Sequence, residues 1–406
     1  MLLILLACSP AEEIVMGPSS IRGPQAYEAE LDQVDQQLFA AQERAAWLDD
    51  YSADVTVAAW AKVRARLSGD YADYTLAQES LDWAFEQASP GAGPFQERAQ
   101  LNYSLHRLDP IPADLDAAYG AVLMDDNTLA SLVLIQANLD FQKGRYTDAL
   151  LGYEESLALH PSISGYGARA NARYWLGDIS GAEADLNAAE GLYHGFYEEP
   201  LAWLDLQRGL MDLERGAYSE ALVHYHNADA HLGGYWLVQE HIAEIWVLQG
   251  FESEARALYL NVVDRTGSPE FMDALAGLST GAEQADWYAQ ADQVYARRLV
   301  DFPEASWGHA LDHYLESGQE DLALDLAQKN AALRGNGHAT TQLAQAYLLK
   351  GQAQQAIDAL QPSVDSGWTS AAAHWALHLA YQAVGDAIRA ERNRELALDL
   401  HPEIGL

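Results

Sequence analysis

Apolar residues at Tyr27, Leu31, Val34, Leu38, Ala45 and Leu48 follow helical spacing, and this stretch predicts a helix that covers whatever folds after it. From about Val55 onward the small and apolar positions repeat. Glycines at 144, 177, 216, 250, 318, 351 and 385 are each followed five positions later by alanine: Ala149, Ala182, Ala221, Ala255, Ala323, Ala356 and Ala390. The gaps between those glycines are 33, 39, 34, 68, 33 and 34, so the gap of 68 spans two periods. Its midpoint, Gln284, is followed by Ala289 and marks a degenerate unit. Seven positions before each marker the residue is usually small (Ala137, Ala170, Gly209, Ala243, Gly277 and Ala344), with Leu311 and His378 as exceptions. Pro161 and Pro402 stand twelve positions after Ala149 and Ala390, where a helix must end. Each unit therefore reads as two antiparallel helices around a glycine turn, with small residues where the helices approach closely.

These residues resemble the tetratricopeptide repeat, most clearly from Ala130 to Pro161, where Gly144-Arg145-Tyr146-Thr147-Asp148-Ala149 is followed by Tyr153, Ser156 and Pro161. Weaker copies begin at Gly69-Asp70-Tyr71, with Ala77, Leu81 and Ala84, and near Phe95 to Met124. The resemblance implies an all-α, right-handed α-solenoid of about ten helix pairs, with the first helix of each pair lining the concave face. The expected organisation is a leader at 1–8, a linker at 9–26, a capping helix at 27–52, degenerate pairs at 53–129 and the main array at 130–406. Residues 9–25 carry Pro10, Gly17-Pro18-Ser19-Ser20 and Gly23-Pro24 without periodicity, which is linker chemistry.

The opening Met1-Leu2-Leu3-Ile4-Leu5-Leu6-Ala7-Cys8 resembles the lipobox of bacterial lipoproteins, and Cys8 is the only cysteine of the chain. That resemblance implies a leader removed before Cys8, a lipid on its thiol and a place in the bacterial cell envelope facing the periplasm. By analogy with lipoprotein sorting, Ser9 favours the outer membrane. An unprocessed start would leave the same solenoid in the cytoplasm. No stretch approaches the ~18 apolar residues of a membrane span, so membrane contact is expected only through Cys8.

Charge narrows the partners. The 406 residues hold 60 Asp and Glu against 23 Lys and Arg, a formal net charge of −37. Such a surface repels phosphate backbones, so nucleic acid is not expected as a partner. The inward columns lie about 13, 10, 9, 6, 3 and 2 residues before each turn glycine, as the family's geometry places them. From Ala130 to Pro402 they contain no Lys or Arg. Asn138 and Asn171 occupy the column that in the family helps grip a partner's C-terminal carboxylate, yet Leu134 and Gly167 stand where that grip needs a base. The same columns supply Glu214, Glu240, Glu244, Asp312 and Glu316, with Tyr174, Trp175, Trp203 and Trp375 nearby. They predict an acidic, aromatic-flanked groove for a basic or neutral extended segment of a protein or peptide.

Candidate chemistry is sparse. His309-Ala310-Leu311-Asp312-His313 resembles an H-x-x-E-H zinc helix with Asp in place of Glu, and it supports the alternative of a metal-binding protein or metal-dependent enzyme. Glu240-His241 with Glu244, and His374 with His378, also have ligand-like spacing, although His374 and His378 fall in packing columns. No G-x-S-x-G, H-E-x-x-H or P-loop occurs. A non-enzymatic scaffold without cofactor or resident metal is the expectation.

Overall fold

A computed structural model describes residues 25–405 except 49, 90, 121–123 and 196. Cys8, the leader and nearly all of the linker lie outside the described residues.

The chain is an all-α solenoid. The helix α1 (Gln25–Trp47) precedes ten helix pairs: α2 (Tyr51–Ser68) with α3 (Ala72–Gln87), α4 (Phe95–Ser104) with α5 (Ile111–Tyr119), α6 (Asp126–Gln142) with α7 (Tyr146–Leu159), α8 (Ile163–Trp175) with α9 (Ile179–Gly191), and α10 (Glu199–Leu213) with α11 (Tyr218–His231). The series continues with α12 (Trp236–Leu248) and α13 (Glu252–Thr266), α14 (Pro269–Gly277) and α15 (Gly281–Asp301), α16 (Pro303–Glu316) and α17 (Glu320–Leu333), α18 (Gly337–Leu349) and α19 (Ala353–Asp365), and α20 (Ala371–Ala383) and α21 (Ala387–Leu400).

The marker glycines explain the turns. All seven adopt positive φ, from +68° to +84°, a left-handed conformation that side chains bearing a Cβ resist. Each turn closes with a backbone bond from the residue after the glycine to a carbonyl five residues back, as in Arg145 N to Asp140 O at 2.8 Å and Gln319 N to Tyr314 O at 2.7 Å. That bond satisfies a carbonyl orphaned at the helix end. The alanines five residues on are buried, at 0% exposure from Ala149 to Ala356 and 4% at Ala390. In the unit around Ala130 to Pro161, Asp125 caps α6 by accepting from Thr128 N at 2.8 Å. Tyr153 donates back to Asn138 Oδ1 at 3.0 Å, and Ser156 Oγ to Ala130 O at 2.8 Å.

The degenerate unit differs from the marker pattern. Its turn falls at 278–280, and α15 is longer than its counterparts, so Ala289 is exposed while Ala291 takes the fully buried position ahead of Tyr295. The Ala–Tyr spacing of four matches Ala149–Tyr153 and Ala255–Tyr259, which is the packing unit the glycine count obscured.

Successive turns of the superhelix lie against each other. Hydrogen bonds join residues 169 to 228 apart in sequence, roughly five to seven repeat periods of about 34 residues. Trp236 Nε1 donates to Leu67 O at 2.9 Å, Gly337 N to Tyr146 Oη at 2.9 Å, and Thr369 N to Trp175 O at 2.7 Å. Helix α1 packs on α2 and also reaches the next turn: Tyr27 N donates to Gly233 O at 3.1 Å, and the Tyr27 ring stacks on Tyr235 at 5.8 Å. Gly144 sits at such a contact, where an added Cβ would come within 2.5 Å of Gly335 O.

Candidate functional site: an acidic interior

The first helices of the later pairs face inward and, with the first turn, line an open cavity of about 620 Å³. Helix α10 leads to Glu214, α12 carries Trp236, Glu240, His241 and Glu244, α14 carries Glu270, Phe271 and Asp273, and α16 carries His309, Asp312, His313 and Glu316. Arg66, Gly69, Tyr71 and Tyr74 enter from the first turn, and Tyr295 and Arg298 from α15. A second cavity of about 400 Å³ adjoins it, sharing Leu213, Glu214, Glu244 and Asp312, and runs on past Trp175, Tyr218, His338 and His401.

All five acidic residues named from the sequence line this interior: Glu214, Glu240, Glu244, Asp312 and Glu316. The aromatic and amide candidates are placed differently. Tyr174 is buried and donates to Met211 O at 2.9 Å. Trp175 lines the second cavity with one edge but lies flat against Trp368, ring centroids 4.8 Å apart at 6°. Asn171 Oδ1 accepts from Trp175 Nε1 at 3.1 Å within α8, and Asn138 accepts from Tyr153 and so fastens α6 to α7. Trp203 packs over Gly167, where a Cβ would lie 2.7 Å from its ring. Trp375 packs over Gly405 in the same manner.

Electrostatics set the character of the cavity. Both arginines in its wall are engaged. Arg66 holds Glu199 through Nε at 3.0 Å and Nη2 at 3.2 Å, and Arg298 holds Glu270 at 3.0 Å while lying 4.4 Å from the Tyr71 ring centre. Among the described residues neither Glu214 nor Glu316 has a basic partner within ion-pair distance. Burial pushes the carboxyls of Glu214 and Glu316 up to about 7, and at Glu214 the neighbouring Glu244 adds to the effect. Glu240 is likewise pushed up to about 7 by burial, despite the lowering influence of His241 beside it. His241 itself is held above its ordinary value: burial opposes its charge, but Glu240 and Glu244 outweigh it. Asp312 accepts from Gln342 Nε2 at 3.3 Å.

The zinc-like set of α16 does not converge. His313 is completely buried and its Nδ1 bonds Asp273 Oδ1 at 2.7 Å, whereas the His309 side chain is 61% exposed and reaches only toward Glu270 at 3.9 Å. Among the described residues, the group of three or more potential ligands whose donor atoms all lie within 4.8 Å of each other is Glu240, His241 and Glu244. His374 and His378 pack internally, bonding Asn393 Oδ1 and Ala390 O, each at 2.9 Å.

Tyr71, Tyr74, Arg66 and Arg298 line the same cavity from outside the inward columns of the array. Trp236 and Phe271, on inner helices, belong to it as well.

No family model matches the chain, and no curated protein matches it. Solved structures similar to it include a human IFIT1 dimer with m7Gppp-AAAA, at 14% identity and a TM-score of 0.44, covering 94% of this chain and 98% of that one. The Cut9–Hcn1 hetero-tetramer of the APC/C shows 15% identity and a TM-score of 0.42 over 86% of this chain and 74% of its own. A tetratricopeptide repeat protein from Parabacteroides merdae shows 16% identity and a TM-score of 0.36 over 59% of this chain and 93% of its own. By its own glycine-turned helix pairs, with first helices of the later pairs lining the interior, the chain has a helical-repeat fold of the tetratricopeptide type.

Proposed function

We propose that this chain is a non-enzymatic scaffold that binds protein, and that its acidic interior seats a basic or neutral extended segment of the partner. The observation that carries this reading is a cavity wall bearing seven carboxylates whose two arginines are already paired. A Lys or Arg side chain entering there meets a lining that includes Glu214 and Glu316 together with the aromatic residues Tyr74 and Trp236. Phosphate-rich ligands meet repulsion from the same wall. Affinity then accumulates from several repeats at once along a rigid surface.

The test is a titration of full-length protein with a fluorescent Lys/Arg-rich decapeptide, in chelator and at several salt concentrations. Binding that weakens with salt, and that drops at least about tenfold in the Glu240→Lys, Glu244→Lys double variant, supports the reading. Unchanged affinity and an unchanged salt slope in that variant refute it.

The same reading includes an envelope location: a lipid on Cys8, outer-membrane attachment and a body facing the periplasm. Lipobox-like Leu5-Leu6-Ala7-Cys8 supports it. Intact mass of natively expressed protein decides: a diacylglyceryl-sized increase with the leader gone supports the anchor. An intact Met1 in the soluble fraction places the scaffold in the cytoplasm.

A further inference from the structure

The interior wall carries a second, more specific feature at α12. His241 Nδ1 hydrogen-bonds Glu244 Oε2 at 3.1 Å and lies at the same distance from Glu240 Oε2. Donor atoms on neighbouring corners of a tetrahedron around a zinc-like ion, with bonds of about 2.0–2.1 Å, are separated by roughly 3.3 Å. The donor atoms of the three side chains lie within 4.8 Å of one another on five consecutive residues of one helix, so little rearrangement is needed to converge on an ion.

A separate observation points the same way. Glu240 is nine-tenths buried (9% exposed), and its Oε2 makes no hydrogen bond. The hydroxyls of Tyr225 and Tyr259 are buried without partners too, and the Tyr225 ring stacks on His241 at 5.5 Å. Buried polar atoms left unbonded are uncommon in folded proteins, and a bound ion is one of the features that account for them. Here they gather around one histidine and two carboxylates that open onto a cavity.

We propose that Glu240, His241 and Glu244 form a site for a divalent first-row transition metal, held by one imidazole nitrogen and two carboxylate oxygens with an open position facing the cavity. One nitrogen among oxygen ligands suits Mn²⁺ to Zn²⁺, and it disfavours Ca²⁺ and Mg²⁺, which prefer all-oxygen shells. This goes beyond the peptide reading and does not depend on it, since peptide binding is measured in chelator.

Full-length protein is stripped with EDTA, dialysed and titrated with Co²⁺, with Zn²⁺ as competitor and Mg²⁺ and Ca²⁺ as controls. The expected result is a saturable visible Co²⁺ band at one equivalent, displaced by Zn²⁺ and not by Mg²⁺ or Ca²⁺. His241→Ala and Glu244→Gln should each weaken it at least about tenfold, while Glu252→Gln, exposed at the start of α13 and outside the cavity lining, leaves it unchanged. X-ray absorption of the Zn²⁺-loaded wild-type protein should show one imidazole among oxygen ligands, a readout that does not depend on any variant folding. Absence of a saturable band, equal affinity in His241→Ala that retains its circular dichroism, or a zinc shell without imidazole each overturns the proposal.

Discussion

The contact between superhelical turns is the feature on which the shape of the interior depends, and Trp368 is its centre. The side chain is 1% exposed. It stacks on Trp175 at 4.8 Å and Tyr146 at 5.9 Å from the preceding turn, and meets His338 edge-on at 4.6 Å. Gly337 beneath it has no room for a methyl group, since an added Cβ would come within 2.0 Å of the indole. Replacing Trp368 with Ala removes a buried aromatic that neighbours cannot easily collapse to fill, a change that costs about 3–5 kcal/mol. If the second turn, about 200 residues, unfolds as a unit, each kcal/mol lowers the midpoint by about 2–4 °C. The expected loss is therefore about 6–20 °C, with the centre of the range near 12 °C.

Loss of stability alone would not separate an inter-turn clasp from an ordinary core residue. Hydrogen exchange does. A solenoid whose units touch only their sequence neighbours confines damage to nearby pairs, whereas the clasp links Trp368 to α6 through α8, nearly 200 residues upstream. Trp368→Ala should thus accelerate exchange in residues 126–175 as well as in α18 through α20. Protection in residues 126–175 identical to wild type, with loss confined to 337–400, would refute the reasoning however far the midpoint falls.

Two further predictions follow from named positions. Gly144→Ala combines positive-φ strain at +74° with a clash at Gly335 O, while Gly351→Ala, at +68°, meets open space. The second should cost about 1–2 kcal/mol and the first clearly more, the difference in urea midpoints reading the inter-turn contact directly; equal costs would deny it. Glu316 has a folded-state pKa raised to about 7 by burial, so its stability contribution is present below about pH 4.5 and is lost as pH rises through about 7. Glu316→Gln should leave stability near wild type at pH 4.5 and exceed it by roughly 2 kcal/mol at pH 8, after allowance for partial exposure. A constant difference across that window would show that the carboxyl is not destabilised by burial.

The readable parts of the fold are those that local chemistry dictates. A left-handed turn demands glycine, and two helices in close approach demand a small residue, so Gly144 and Ala149 announce themselves within one unit. The acidic wall was legible for a similar reason, because Glu240, Glu244, Asp312 and Glu316 sit at fixed offsets on helices of one orientation. Column offsets give an angle around a helix axis and nothing of what crosses from another turn. Trp175 stands at an inward offset and is nonetheless covered by Trp368, 193 residues away, while Tyr71 and Arg298 reach the cavity through a closure no short-range period encodes. The longer α15 shifted its buried alanine from 289 to 291, because packing follows the Ala–Tyr step and not the distance from the turn.

Superhelical closure also explains why the interior needs a counter-charge. Seven carboxylates, Glu214, Glu240, Glu244, Glu270, Asp273, Asp312 and Glu316, share one wall in which Arg298 serves Glu270 and Arg66 serves Glu199 behind it. Leaving such a set ionised and dehydrated is costly. Three neutralising species fit the geometry: protons, for which the raised carboxyls of Glu214 and Glu316 are suited; a divalent ion at Glu240, His241 and Glu244; and the Lys or Arg side chains of a partner. Each has a distinct signature, since protons leave as pH rises, the ion responds to chelator and the partner responds to salt. A cavity serving only to stabilise the fold would carry apolar residues at these positions, as the buried alanines and leucines of the outer helices do. Among the described residues Glu214 and Glu316 have no basic partner, and the binding proposed above supplies the positive charge with the ligand.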